Sequence, residues 1–342
     1  MASASEDNRE PEKLVDECEA LLRSERAFFE TDPDFERHPM VPEPGSMESQ
    51  LLAVFFEESQ PVIRLADQFA IWREFCERRV QRFRDNVEAL NRTEIEEGGL
   101  RSRLTCFLKE KHAISFANSG RDMRTLISYA VGCMFGRYSV DVPGLIDKGG
   151  DWNASRYITF IPDVDGILPI CDEAYFPNDI VTLFMNWLEV VFGTVTLEEN
   201  LAFVSGALGG SGAPRDVIRR YFLNDFYRDH LAVYGDRPIY LLFDSGQEHA
   251  FKCLVYVHRW KPDTVTRVRE KYVRVVQDRI DARFKDPRHG MDDSSSLKAR
   301  ADELQAYSSK LCGCEDMAIR MDPDADATAV YARLAEMLAP IR

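Results

Sequence analysis

Residue types that carry chemistry are present in this chain, but few of them stand at catalytic spacings. It has no Gly-x-x-x-x-Gly-Lys-Ser/Thr loop to cradle phosphates and no Gly-x-Gly-x-x-Gly after a strand. The six histidines (38, 112, 230, 249, 258 and 289) lie far apart, and none has a partner at metal-ligand spacing. No Cys-x-x-Cys occurs; Cys312-Gly-Cys314 comes nearest to a pair, and the eight cysteines read as reduced, mostly buried thiols. No Gly-x-Ser-x-Gly elbow supports a serine nucleophile. The run Gly206-Ala-Leu-Gly-Gly-Ser-Gly212 sits between helical patterns and reads as a hinge, and Asp163 and Asp165 fall in a turn whose local hydrogen bonding accounts for them.

Two clusters of cations remain. Arg121-Asp-Met-Arg124 opens, and Arg137-Tyr-Ser139 closes, an apolar stretch with glycines at 132 and 136, four residues apart, a spacing that permits close approach of another backbone. Arg137 can cap the C-terminal carbonyls of that helix and pair with Asp141, or it can meet a phosphate or a partner. The second cluster joins Arg237-Pro-Ile-Tyr240, the run Phe251 to Trp260 with Lys252 and Arg259, and a following helix whose Arg267, Lys271 and Arg274 share one face. Interleaved aromatics and cations suit contacts to a phosphate backbone with occasional stacking; a solvated helix face over an apolar hairpin is the plainer alternative.

The elements that must position these groups follow from periodicity. Residues 1–12 read as a disordered start, 13–97 as a helical arm broken near Pro33–Pro44 and again at Pro61, and 98–120 as a linker. Residues 121–285 read as a helical core with hairpins near 157–170 and 238–259; 286–296 is a second linker and 297–342 a C-terminal helical tail. The first hairpin is expected to pair Tyr157–Ile161 with Ile167–Ile170, and the stretch Pro262–Phe284 to form one amphipathic helix. The fold class expected is α+β, predominantly α-helical, with two small antiparallel β-hairpins.

Composition narrows the function classes. Across 342 residues, 45% are apolar and 30% charged, enough to bury a core, so the chain is neither disordered nor fibrous. The longest apolar stretch, Leu126 to Phe135, is too short for a bilayer, which needs about 20 residues. The start Met1-Ala-Ser-Ala-Ser-Glu-Asp lacks the basic flank and apolar core of a secretory signal, and a cytoplasmic protein is expected. Net charge is −15, with 5 basic and 16 acidic residues in 1–60, whereas residues 237–288 hold 12 basic and 7 acidic ones. That balance opposes indiscriminate coating of nucleic acid but leaves a local cationic face.

At these clusters the chain resembles a family. Glu30-Thr-Asp-Pro-Asp-Phe-Glu-Arg-His-Pro39, Glu88-Ala-Leu-Asn-Arg92, the whole run from Arg121 to Ser139 and Asp151-Trp-Asn-Ala-Ser155 carry the likeness. It continues through Leu197-Glu-Glu-Asn200, Tyr221-Phe-Leu-Asn-Asp-Phe-Tyr-Arg-Asp-His230, Arg237-Pro-Ile-Tyr-Leu-Leu-Phe-Asp-Ser-Gly246 and Val255-Tyr-Val-His-Arg-Trp260. In this order they resemble the C-terminal part of PglX-type adenine-specific DNA methyltransferases of bacteriophage-exclusion (BREX) and phage-growth-limitation systems. The resemblance implies antiviral defence by N6-adenine methylation of DNA with S-adenosylmethionine, but the family's Asn-Pro-Pro-Tyr motif, which grips the flipped adenine, has no counterpart here: neither Asn-Pro-Pro nor Asp-Pro-Pro occurs. The family's His-Arg-Tyr is His258-Arg259-Trp260, and a lysine of its Asp-Ser-Gly-Lys turn is replaced by Gln247.

The expectation is therefore a non-catalytic module with no catalytic, metal or cofactor-binding residue and no autonomous methyl transfer, S-adenosylmethionine belonging to the full-length family. Its partners would be double-stranded DNA and a separate catalytic chain or other phage-defence subunits, with no membrane. Arg137, Arg237, Lys252, Arg259, Arg267, Lys271 and Arg274 are the candidate nucleic-acid contacts. The alternative is an acidic protein-interaction or decoy subunit with no direct DNA contact.

Overall fold

The computed structural model describes residues 9–43, 62–92, 114–146, 153–235, 237–285, 294–314 and 338. The apolar series at Leu51–Phe56, Pro61, the glycine pairs at 98–99 and 149–150, most of both linkers and most of the C-terminal tail lie outside those residues.

Helix α1 (Arg9–Arg26) and helix α2 (Leu65–Arg92) run antiparallel: Val15 and Cys18 meet Leu90, and Leu22 meets Val80. Arg79 fastens them, donating to the Ser24 hydroxyl (2.8 Å) and the Leu21 carbonyl (2.8 Å) while its guanidinium lies 5.0 Å from the Phe28 ring. Helix α3 (Ser119–Met134) is capped by the Asn118 side chain, which accepts from the Arg121 amide. It is the centre of the larger apolar core. Around it stand α4 (Ile180–Phe192), α5 (Leu197–Leu208), α6 (Pro214–Asn224) and α7 (Phe226–Tyr234). Asp179 caps α4 through the Thr182 amide and is itself held by both Arg219 nitrogens at 2.7 and 2.9 Å, a pairing that offsets the cost of its complete burial. Asn200 of α5 binds the 62–65 segment, accepting from the Leu65 amide (2.7 Å) and donating to the Ile63 carbonyl (3.1 Å).

Three short strands, β1 (Ile167–Ile170), β2 (Tyr240–Asp244) and β3 (Lys252–Tyr256), form an antiparallel sheet ordered β1-β3-β2. The second expected hairpin is therefore present as β2–β3. The first is not: Ile167–Ile170 pairs with β3 (Ile167 opposite Val255), and Tyr157–Ile161 forms no strand. Both faces of the sheet are covered, which is why its strands read as unbroken apolar runs. Leu168, Leu254, Tyr256 and Tyr240 point into the α3-centred core; Ile167, Cys253, Val255, Leu241 and Phe243 point into a second core.

That second core is closed by a rod and a last helix. The rod runs through α8 (Thr264–Arg267), a π-helical stretch (Val268–Val273) and α9 (Arg274–Lys285), with Arg267 and Arg274 both in right-handed helical conformation, so the single expected helix holds apart from its π segment. Helix α10 (Ser294–Cys314) contributes Leu297, Leu304, Tyr307 and Leu311. Its Glu303 accepts from the Ser245 hydroxyl (2.6 Å) and from the Glu248 and Ala250 amides (2.7 and 3.2 Å), so the β2–β3 turn is anchored by a carboxylate of the same chain. Among the described residues no helix is long and apolar enough to cross a membrane. Five described cysteines are buried (18, 76, 133, 171 and 253), Cys312 is exposed, and all the described ones are unpaired.

Candidate functional site: a basic rod and a cavity beside α3

The seven candidate cations part into two groups once the chain is folded. Lys252 is buried at the register position opposite Asp244, pairs with it at 2.9 Å and donates to the Leu223 carbonyl at 3.0 Å. Arg259 donates to the Asp163 carbonyl (2.6 Å) and runs against Gly166, where an added Cβ would stand 3.0 Å from its own Cβ. Arg267 reaches the Asp165 carbonyl (3.2 Å) and the Thr264 hydroxyl (3.2 Å). Lys271 and Arg274 point outward, with side chains 61% and 68% exposed, Lys271 near Asp165 (3.7 Å) and Arg274 near Glu270 (3.2 Å). Arg237 is exposed as well. The rod's basic face is thus partly neutralised by the turn at Asp163–Asp165, two regions that sequence reasoning held apart.

That turn is tightly built. Asp163 Oδ1 accepts from the amides of Asp165 (3.0 Å), Gly166 (2.8 Å) and Ile167 (3.3 Å), and Asn178 donates to its other oxygen (2.9 Å). Burial, aided by the neighbouring Asp165 and opposed by Asn178, pushes the Asp163 carboxyl up to about 6. Tyr272 of the π-helical stretch donates to Asp165 (3.1 Å), joining rod and turn.

Arg137 goes elsewhere. Its backbone amide closes the end of α3 on the Gly132 carbonyl (2.8 Å), and its side chain is buried, donating to the Tyr138 hydroxyl (3.1 Å) and facing the rings of Tyr138 and Tyr234 at 5.3 and 5.9 Å. It makes no pair with Asp141; that carboxylate accepts from the Ile158 amide (2.8 Å) and the Thr159 amide and hydroxyl. The neighbouring glycines also differ from expectation. An added Cβ on Gly132 would stand 2.5 Å from the Tyr138 ring, so what approaches is a side chain rather than another backbone. Gly136 lies past the helix end at φ +74°, where its carbonyl accepts from Tyr157.

A cavity of about 550 Å³ lies between the end of α1, α3 and the α6–α7 corner. Phe28, Phe29 and Phe226 supply apolar wall, and Glu30, Ser128 and His230 polar wall. His230 accepts the Tyr240 amide at Nε2 (3.3 Å); with burial and the Arg137 charge holding its pKa down to about 3, the ring is neutral and its proton sits on Nδ1. Among the described residues that Nδ1 has no partner, and neither has Glu30 Oε1. Burial raises the pKa of Glu30, against the Ser128 hydroxyl and the Arg137 charge, which lower it. Near this wall His38 is held by Thr125 (3.0 Å) and the Met40 amide (3.3 Å), and burial alone takes its pKa down to about 3.

No family model matches the chain. It is 41% identical over 215 residues, 61% of its length, to the adenine-specific methyltransferase PglX of Lacticaseibacillus casei (strain Zhang). It is 36% identical over 244 residues, 64% of its length, to the adenine-specific methyltransferase BrxX of Escherichia coli O9:H4 (strain HS). The chain is related to PglX-type methyltransferases. It spans 18% and 20% of those two relatives, about a fifth of their length.

The PglX relation implies S-adenosylmethionine, and the described residues do not fit that group in the usual way. Open sheets hold such cofactors at a glycine-rich turn beyond a parallel strand; the sheet here is antiparallel throughout, and β1 runs into Cys171-Asp-Glu rather than a glycine turn. No group of His, Cys, Asp or Glu among the described residues could hold a metal ion. Sequence reasoning missed Glu30 and His230 as a pair, although each ends one of the runs that carry the PglX resemblance. Neither has a motif around it; 200 residues apart, they line the same cavity between the end of α1 and α7.

Proposed function

We propose that the chain is a positioning module of a PglX-type adenine-specific DNA methyltransferase, acting in phage defence in the cytoplasm. It docks on the segment that carries the S-adenosylmethionine and target-base pocket and helps hold duplex DNA, without itself transferring the methyl group. The observation that carries this reading is 36–41% identity across more than half of a chain that contains no Asn-Pro-Pro or Asp-Pro-Pro. Two surfaces support it. Ile158, Val164 and Ile161 are 79%, 73% and 60% exposed on a loop that Asp141 ties to the exposed Val142 and Leu145, an aliphatic patch of the kind that a protein partner covers. Arg237, Lys271 and Arg274 are the candidate cations left outward for phosphate, setting orientation rather than sequence.

Net charge of −15 and the internal ties of Lys252, Arg259 and Arg267 favour a second reading, an acidic docking subunit that touches no DNA. Co-elution with a separately produced PglX catalytic segment tests the docking role. The chain should form a stoichiometric complex that Ile158→Asp/Val164→Asp disrupts. Failure to associate, or transfer of labelled methyl groups to duplex DNA by the chain alone, would overturn the proposal.

A further inference from the structure

The loop that carries Ile158, Ile161 and Val164 is fixed at both ends to the close of α3. The Tyr157 hydroxyl donates to the Gly136 carbonyl, and the Asp163 amide donates to the Met134 carbonyl at 2.8 Å. Between those ends Phe160 turns inward to the α3-centred core. Three further donors, the Ile158 amide (2.8 Å) and the Thr159 amide (3.1 Å) and hydroxyl, converge on the Asp141 carboxylate. Asp141 is held in its turn. Its amide donates to the Ser139 hydroxyl (3.0 Å), which donates to the Arg156 carbonyl (3.1 Å). Its flanks are tied back where Arg37 donates to the Val140 carbonyl (2.9 Å) and the Gly144 amide to the Glu36 carbonyl (2.8 Å). Burial raises the Asp141 pKa, but the Thr159 hydroxyl and the two amides outweigh it and hold the carboxyl below its ordinary value.

Along this loop the backbone donors turn inward and the aliphatic side chains turn outward, with Val142 and Leu145 exposed on the loop that Asp141 itself belongs to. A loop free to move must be ordered when a partner covers it, whereas one already held binds without that cost. Building on the docking role proposed above, we infer that Asp141 is a positioning residue for that docking. It presents Ile158, Ile161 and Val164 as a preformed aliphatic face to an uncharged, apolar face of the methyltransferase segment that carries the target-base pocket. The chain spans 18% and 20% of its two relatives, so most of a relative's length remains to meet it. A second copy of the chain is a poorer occupant, because each copy carries a net charge of −15 and the two repel.

Binding kinetics of the full chain with a separately produced PglX catalytic segment test this, together with hydrogen exchange of the chain alone. Asp141→Asn keeps the size of the side chain but puts a donor where one carboxylate oxygen accepts. It should speed exchange at the Ile158 and Thr159 amides while α3 stays protected. It should also slow association roughly fivefold with dissociation unchanged, because only chains with the loop in place can bind. Thr159→Val, which leaves both amide contacts, should slow association about twofold, and it carries the same readouts if Asp141→Asn fails to fold. Ile158→Ala removes contact rather than position and should speed dissociation instead. Native exchange at residues 158 and 159 in Asp141→Asn, a native association rate, or a loss carried by faster dissociation would overturn the inference and leave the docking role standing. No association by the native chain would remove both. A dimer of the chain alone that Ile158→Asp breaks would make a second copy the occupant and overturn it as well.

Discussion

The two stretches that stand out as cationic in sequence, Arg121–Ser139 and Arg237–Arg274, end in opposite circumstances. In the second, charge is balanced within the chain: Lys252 faces Asp244 across the sheet, and Arg267 and Lys271 lean on Asp165. In the first, Arg137 is buried against the rings of Tyr138 and Tyr234 and donates to the Tyr138 hydroxyl rather than to a carboxylate. A run of positive charge is thus a poor guide to where a fold turns outward.

Removing a buried cation sharpens that contrast most. Lys252→Met strands Asp244, so urea denaturation should show a loss of about 3–5 kcal/mol. A loss near zero would place that side chain closer to water than the fold has it. Gly132→Ala should cost about 1–3 kcal/mol by driving a methyl into the Tyr138 ring, read in the same experiment.

The pH dependence separates the two regions by sign. His38 and His230 have folded-state pKa values near 3, below the ordinary 6.5, so their contribution is complete above pH 6.5 and is lost as pH falls toward 3. Between pH 7.5 and pH 5.5 that amounts to about 1 kcal/mol for each histidine. Asp163 works the other way. Its folded-state value is raised to about 6 from 3.8, so the native state binds the extra proton and stability declines as pH rises from about 4 to about 6. Denaturant midpoints against pH should flatten on the acid side in His230→Phe, and Asp163→Asn should remove the opposing trend. The smallest stability effect belongs to Lys271→Ala and Arg274→Ala, each within about 0.5 kcal/mol, because exposed ion pairs contribute little.

How much of this was legible beforehand depends on range. Local signals read well: the glycine run 206–212 marks the break between α5 and α6, residues 238–259 hold a hairpin, and the stretch 262–284 forms the rod. The strand Ile167–Ile170 was also visible, but its partner was not, since the choice between Tyr157–Ile161 and β3 is made by the second core, which buries Ile167 with Val255. The resemblance to PglX-type enzymes was legible in long colinear runs. What those runs do was not: Asn200 ties down the 62–65 segment and Asp229 holds Arg124, contacts between residues more than 100 positions apart. The burial of Lys252 and Arg137 was equally hidden, because a strand or helix-end cation looks the same in sequence whether its partner is water or a carboxylate across the sheet.

Duplex DNA binding measured against salt tests most directly the claim that only the outward cations serve DNA. With Arg237, Lys271 and Arg274 as the phosphate contacts, a log–log plot of affinity against salt should fall with a slope of about −3. The combined variant Arg237→Glu/Lys271→Glu/Arg274→Glu should keep its fold and lose both the binding and the slope. Duplex binding that survives in that variant, or a wild-type chain that binds no DNA at low salt, would contradict the account.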